Sequence, residues 1–492
     1  MHRSLRLALV AIASVTATLP AAPLPRSTPE AEGIPTTAVA AFLAAADRLE
    51  DVHSVMILRH GKVVAEAWWA PYRADLRHEL YSLSKSFTST AVGLAIAEGR
   101  LTLDDRVVDH FPDELPPEPS PNLRAMRVRD LLTMSTGHAT EPPRPADASW
   151  TKAFLAHDVP FKPGTHFLYN TSATFMQAAL VEKTTGEGLL AYLEKRLLGP
   201  LGIEDATWER NPDGIATGGY GLSLRTEDIA RFGQLLLQQG RWDDRQIVPE
   251  EWIAQATGKQ VSNGSSPDSD WEQGYGFQFW RCRHDAFRGD GAFGQFCIVL
   301  PEQDVVVAMT AGLGPMHELL AAVWDHLLPA IGDEPLPADV AAREALEKTI
   351  RSLSVTRPTS NGTGGSASGR TYRFPANPLR IETVRVAPAG TGDAERLELT
   401  VAGDRRTILC GRDAWLGGTA IWTGGEPQPA AAAGGWDGDS FTARICFVET
   451  PYVGTLRLAF QGDAVTLTGG MNVGFGPTKL PSLEGRADPA AP

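Results

Sequence analysis

The sequence predicts an α+β fold, an antiparallel sheet flanked by helices with a helical insertion, followed by a C-terminal all-β domain. Strand-like alternation near both ends of the first 330 or so residues predicts the sheet, and helical spacing between them predicts the insertion. Short alternating strings separated by Gly and Asp turns fill residues 372–487 and predict a β-sandwich or barrel. The chain has 492 residues, enough for several cores. Its net charge of -14 repels phosphate backbones and anionic lipid head groups, so nucleic acid is not an expected partner.

In chain order, Arg3 and Arg6 precede an apolar run from Leu7 to Val15 and small residues around Ala17 and Ala21, so residues 1–23 read as a secretory signal peptide. That predicts a secreted or periplasmic protein, a cytoplasmic one being the alternative. No later run is long and apolar enough to predict a membrane span. Residues 24–352 form the first expected domain. Its sheet begins at HSVMILRHGKVVAEAWWA, residues 53–70, which alternates about a His-Gly-Lys turn. From Ser84 to Glu98 an apolar, proline-free stretch predicts a buried helix stopped at Gly99. Loops rich in Pro follow over 117–160, then two helical stretches, VEKTTGEGLLAYLEKRLLGPLGI and TEDIARFGQLLLQQG. YGFQFWRC and FGQFCIVLPEQDVVVAMTAG read as returning strands, and MHELLAAVWDHLLPAIG as a closing helix. Residues 353–371, rich in Gly, Ser, Thr and Asn, read as a flexible linker.

The sharpest chemical signal is YSLSKSFTST. Ser82 and Lys85 stand in Ser-x-x-Lys register on the first turn of the buried helix, and three residues apart on a helix share a face. A serine hydroxyl needs a neighbouring base and positive potential to become a nucleophile. A lysine whose pKa is depressed by burial supplies the base, and a helix N-terminus supplies potential. Ser149 and Lys152 in SWTK match the same register, but they lead into only a short helical turn before Pro160 and read as a decoy. No Gly-x-Ser-x-Gly elbow and no His-Glu-x-x-His spacing occurs. The four cysteines, Cys282, Cys297, Cys410 and Cys446, lack zinc-ligand spacing and read as free thiols, a bridge within each expected domain being the alternative in an exported protein, and neither metal nor cofactor is expected. His166 reads as a loop residue, and Trp68, Trp69 and Trp150 are candidates for a pocket lining or for packing.

Together with VRDLLTMSTGH, PGTHFLYNTSATFM, GGYGLSLRTEDIARFGQLLLQQG and FRGDGAFGQFCIVLPEQDVVVAMTAG, in that order, the YSLSKSFTST string resembles the serine β-lactamase and penicillin-binding-protein superfamily, in its class C and esterase-like branch. The resemblance covers roughly residues 25–330 and implies the same sheet-and-insertion fold. It implies that Tyr169 serves as proton shuttle, assisted by Lys85, with Thr171 in the place of the usual asparagine and Asn170 displaced by one. It also aligns the third family box with Gly289, Asp290 and Gly291, where no cation remains. This argues against efficient lactam hydrolysis and for neutral esters or amides. The backbone N–H groups of Ser82 and Ala292 are the implied oxyanion hole, with Gly291, Asn170 and Thr171 as weaker substrate-positioning candidates. KTTG at Lys183–Gly186 imitates that box but reads as a helix end. The resulting expectation is a serine hydrolase acting on a small ester, amide or peptide through a Ser82 acyl-enzyme. The alternatives are a penicillin-recognising or other non-turnover acyl-binding protein, or a D-amino-acid peptidase.

Overall fold

The computed structural model describes residues 22–390, 393–422 and 425–488. The leader predicted over residues 1–23 lies almost wholly outside the described residues. Helix α1 (Thr36–Asp47) precedes a hairpin of β1 (Val52–Arg59) and β2 (Lys62–Trp68). Helices α2 (Ser84–Ala97), α3 (Thr171–Thr185) and α4 (Thr226–Leu237) follow, and the chain then returns through β3 (Trp280–Arg281), β4 (Phe287–Gly291), β5 (Gln295–Leu300) and β6 (Val305–Ala311). The six strands form one antiparallel sheet in the order β2-β1-β6-β5-β4-β3, so the first hairpin lies beside the last strand of the unit.

The two-residue period of the strands divides the core. Met56, Leu58, Cys297, Val299, Val306 and Ala308 face a large apolar layer shared with α2, α3 and α4. Their neighbours Val55, Ile57, Phe296, Ile298, Val307 and Met309 face α1 and the helix that starts at Met316 on the other side. YGFQFWRC, expected as a strand, contributes only Trp280–Arg281, because Tyr275 and Gly276 turn back to bond Val261 and Phe279. The closing helix is followed by a second, Val340–Ser352, absent from the sequence reading although Asp339 caps it by accepting from the Ala342 N–H.

Residues 371–487 form a barrel of ten strands in which the last strand, Leu483–Ala487, pairs with the first, Thr371–Arg373. A single parallel pairing of Gly411 with Ala433 closes the ring. The core is built around Trp436, Tyr372, Phe441 and Phe460. Segment 353–371, expected to be a flexible linker, is instead a packed strap. Val355 is fully buried and donates to the Ala70 carbonyl at 2.8 Å, and Asn361 donates to Trp436 at 2.7 Å. The two units also share a core, since Ala431, Cys446, Val448 and Val453 of the barrel join the apolar layer behind the sheet. All four cysteines are buried free thiols. No helix among the described residues is long and apolar enough to cross a membrane.

Candidate active site

Helix α2 is buried all round, so its polar side chains must find partners inside the protein. Ser86 and Ser89 donate to the carbonyls of Gln278 and Phe277, and Thr88 donates to that of Gly218. These bonds fix the helix against the loops that bound a cleft of about 570 Å³. Ser82 stands just ahead of α2, in the 3-10 turn Tyr81–Leu83, rather than on the first turn of the α-helix itself. Tyr81 holds φ at 47°, in the left-handed region, and so turns Ser82 towards the cleft that Ser82 lines.

Lys85 is 1% exposed, and its Nζ lies 3.0 Å from Ser82 Oγ, 3.3 Å from Thr171 Oγ1 and 2.7 Å from the Gly219 carbonyl. None of these partners carries charge. Burial therefore pulls its pKa down to about 7, with the more distant Glu141 and Asp290 opposing and Arg144 assisting. A neutral amine can donate to Gly219 and Thr171 while its lone pair faces the Ser82 hydroxyl.

Tyr169 lines the same cleft, with its ring 5.0 Å from Lys85 Nζ and stacked on Trp280 at 5.3 Å. Burial raises its phenol well above the usual range, and a hydrogen bond with Ser82 only partly offsets this. Burial thus favours the neutral form of both groups beside Ser82, the protonated phenol of Tyr169 and the deprotonated amine of Lys85.

The displaced Tyr-Asn-Thr order has a structural consequence. Asn170 is fully buried as the N-cap of α3, its Oδ1 accepting from the Ala173 N–H at 3.0 Å, so it does not position substrate. Thr171 lines the cleft and reaches Lys85. On β4, a Cβ on Gly291 would meet the Leu80 carbonyl oxygen at 2.1 Å, and one on Gly289 would meet Leu83 at 2.2 Å. Both glycines thus let the strand lie against the turn that carries Ser82, and Gly291 acts through this close approach. Ala292, the next residue, lines the cleft.

The box Gly289–Gly291 itself holds no cation, but one stands next to it. Arg288, two residues before Asp290 on the same strand face, is fully buried and places Nη2 2.7 Å from the Asp290 carboxylate. It also donates to the Asp270 carbonyl and to Cys282 Sγ, and it lies over Trp271 at 4.6 Å. The charge is present, but Asp290 neutralises it.

Sequence reasoning also missed Glu141 and Arg144, which pair with each other on the cleft, and the aromatic lining from Tyr220, Trp271 and Trp280. The tryptophans it proposed lie elsewhere: Trp69 donates to Asp47, Trp150 packs on Phe175, and Trp68 is outside the cleft lining. His166 packs against Phe161. Ser149 caps the short helix Trp150–Ala156, and Lys183–Gly186 ends α3 with Gly186 left-handed at its C-cap.

Fold and cleft together define the β-lactamase-like class of proteins. The chain belongs to the Beta-lactamase family, whose model matches residues 39–327. It is 27% identical over 294 residues to the 6-aminohexanoate-dimer hydrolase of Paenarthrobacter ureafaciens, covering 53% of this chain and 73% of that protein. It is 28% identical to a D-aminopeptidase of Brucella anthropi over 31% of this chain and 32% of that one. It is 26% identical to a lovastatin esterase of Penicillium rubens over 28% of this chain and 40% of that one. Among solved structures, a penicillin-binding protein homologue from Caulobacter crescentus superposes with a TM-score of 0.50 at 17% identity, covering 59% of this chain and 98% of that one, and so shares the fold. These curated relatives are hydrolases of amides, peptides or esters.

Proposed function

We propose that the protein is a serine hydrolase that cleaves a neutral ester or amide through an acyl-enzyme on Ser82. The observation that carries this reading is the buried Lys85 amine 3.0 Å from Ser82 Oγ with no carboxylate in contact. The hydrolase, aminopeptidase and esterase among the relatives support it. In the first step Ser82 Oγ bonds to the substrate carbonyl carbon while its proton passes to Lys85 Nζ. The carbonyl electrons move onto oxygen, where the N–H groups of Ser82 and Ala292 would donate, one such donor being worth about 100- to 1000-fold in rate. The positive end of the 14-residue α2 adds to that potential. The intermediate then collapses, the bond to the leaving group breaks, and the proton reaches that group from Lys85 through the Tyr169 phenol. Water enters by the reverse proton path and releases the acid, restoring Ser82.

The charge pattern selects the substrate. Asp290 lies where an anionic ligand would need a cation, and Arg288 is already bound to it. A carboxylate-bearing lactam would therefore meet no free cation at this strand, whereas neutral carbonyl compounds meet aromatic walls. A panel of 4-nitrophenyl esters, D-amino-acid amides and nitrocefin, followed by intact-mass measurement, tests the reading. Turnover of esters with a transient adduct mapped to Ser82 is expected. Nitrocefin cleaved faster than every ester would overturn the substrate class, and a permanent adduct would replace hydrolysis by acyl binding.

A further inference from the structure

Phe475 is 76% exposed, the most exposed of the large apolar side chains among the described residues, yet it lines the cleft that holds Ser82. It comes from the barrel, in the loop after the strand Ala464–Met471. The loop is anchored at both ends. Met471 donates to the Thr478 carbonyl at 2.9 Å, and Asn472 donates to the Gly312 carbonyl of the first unit at 2.9 Å while accepting from the Val453 N–H. Gly312 permits this approach, since a Cβ there would lie 2.2 Å from the Pro451 carbonyl oxygen.

The ring of Phe475 stands 4.9 Å from Phe293 and 5.5 Å from Tyr81, the residues beside the two oxyanion-hole candidates. Tyr81 is in turn hydrogen-bonded to Tyr452 of the barrel at 2.6 Å. Tyr81, Met316 and Phe475 line the cleft as an uncharged wall, backed by Phe293 and Tyr452 and opposite in character to the Glu141, Arg144 and Asp290 side. Folding gains little from an aromatic ring left in water on an anchored loop, whereas a bound apolar chain would remove that surface from solvent.

We infer that Phe475 is a specificity-determining residue: the barrel completes the active site by supplying the wall of an apolar substrate subsite, suited to an alkyl or aryl chain on the ester or amide. The inference deepens the Ser82 reading and rests on it.

The full chain and its Phe475→Ala and Phe475→Leu variants are compared on two series, 4-nitrophenyl alkanoates from acetyl to octanoyl and acetates of alcohols from methyl to octyl. Wild type is expected to favour the octyl member over the smallest in at least one series. Phe475→Ala should lower that ratio of kcat/KM by roughly tenfold or more, the scale of lost apolar contact in a pocket, and Phe475→Leu should retain most of it. An unchanged Tm would show that the barrel remains folded. A wild type with no chain-length preference, a ratio unchanged in Phe475→Ala, or a ratio that rises because the ring merely obstructs the cleft would each overturn the subsite. Octyl- and methylboronic acid give the same ratio as binding constants where turnover is slow. Ser82→Ala in parallel separates the two readings: full turnover by that variant removes Ser82 from the chemistry, while the chain-length ratio still reports on Phe475.

Discussion

The chain contains the same four-residue pattern twice, at Ser82–Lys85 and at Ser149–Lys152, and folds the two copies into opposite environments. At the first, the lysine is buried among a carbonyl and two hydroxyls, and its pKa falls to about 7. At the second, Lys152 is exposed and Ser149 is spent on capping a seven-residue helix. Spacing brings a hydroxyl and an amine onto one face of a turn in either case. Reactivity needs more: the amine must be taken out of water without being given an anion. Arg288 shows the other resolution of a buried cation, since Asp290 pairs with it. A lysine resolved that way would remain charged and could not accept a proton.

The largest expected effect breaks the comparison outright. Ser82→Ala should lower kcat by about 10,000-fold or more on whichever ester proves best, as loss of a nucleophile does elsewhere. Ser149→Ala should leave kcat/KM unaltered and lose only a helix cap, about 1 kcal/mol of stability. Equal losses from the two variants would show that environment does not distinguish the copies.

A second test asks whether the first lysine works as a base. Wild-type kcat/KM should rise with pH and reach half its plateau near pH 7, where Lys85 loses its proton. Lys85→Arg keeps the charge but cannot deprotonate in this range, so activity should fall roughly 100- to 10,000-fold with that rise abolished. Retention of the rise in the arginine variant would assign it to another group. His53, His78 and His138 are not strong rivals, because burial pulls each below its ordinary value and none lines the cleft.

What the sequence made legible follows the range over which each signal acts. The Ser82–Lys85 pair lies within one helical turn, and the helix that follows carries Phe87, Val92, Leu94 and Ile96 without a proline, so motif and burial are both local. Tyr169 and Ala292 required a family resemblance, because nothing in their own neighbourhoods announces that α3 and β4 meet at Ser82. Glu141 and Arg144 sit in a Pro-rich loop without periodicity. Phe475 lies in another unit, on a loop whose sequence reads only as a turn. The strand Gln428–Asp437 escaped for a packing reason. Its Ala and Gly residues show little strand propensity, but a Cβ at Gly435 would meet the Thr359 carbonyl oxygen at 2.3 Å, so the strap requires a small residue there. The strap itself was misread because composition reports the lack of a periodic face and is silent on backbone hydrogen bonds.

The smallest effect sharpens the comparison without any substrate. A lysine that titrates near 7 in the folded protein and near its ordinary 10.5 when unfolded binds fewer protons in the native state between those values. Stability then increases with pH across that window, and below pH 7 the protein carries the full penalty of a buried charge. Lys85→Met removes the titration and keeps most of the volume. Its Tm relative to wild type should therefore be more favourable at pH 6 than at pH 9, while Lys152→Met should show the same difference at both. A Lys85→Met difference that does not vary with pH would mean that the amine keeps an ordinary pKa when folded, and the contrast between the two copies would then reduce to location alone.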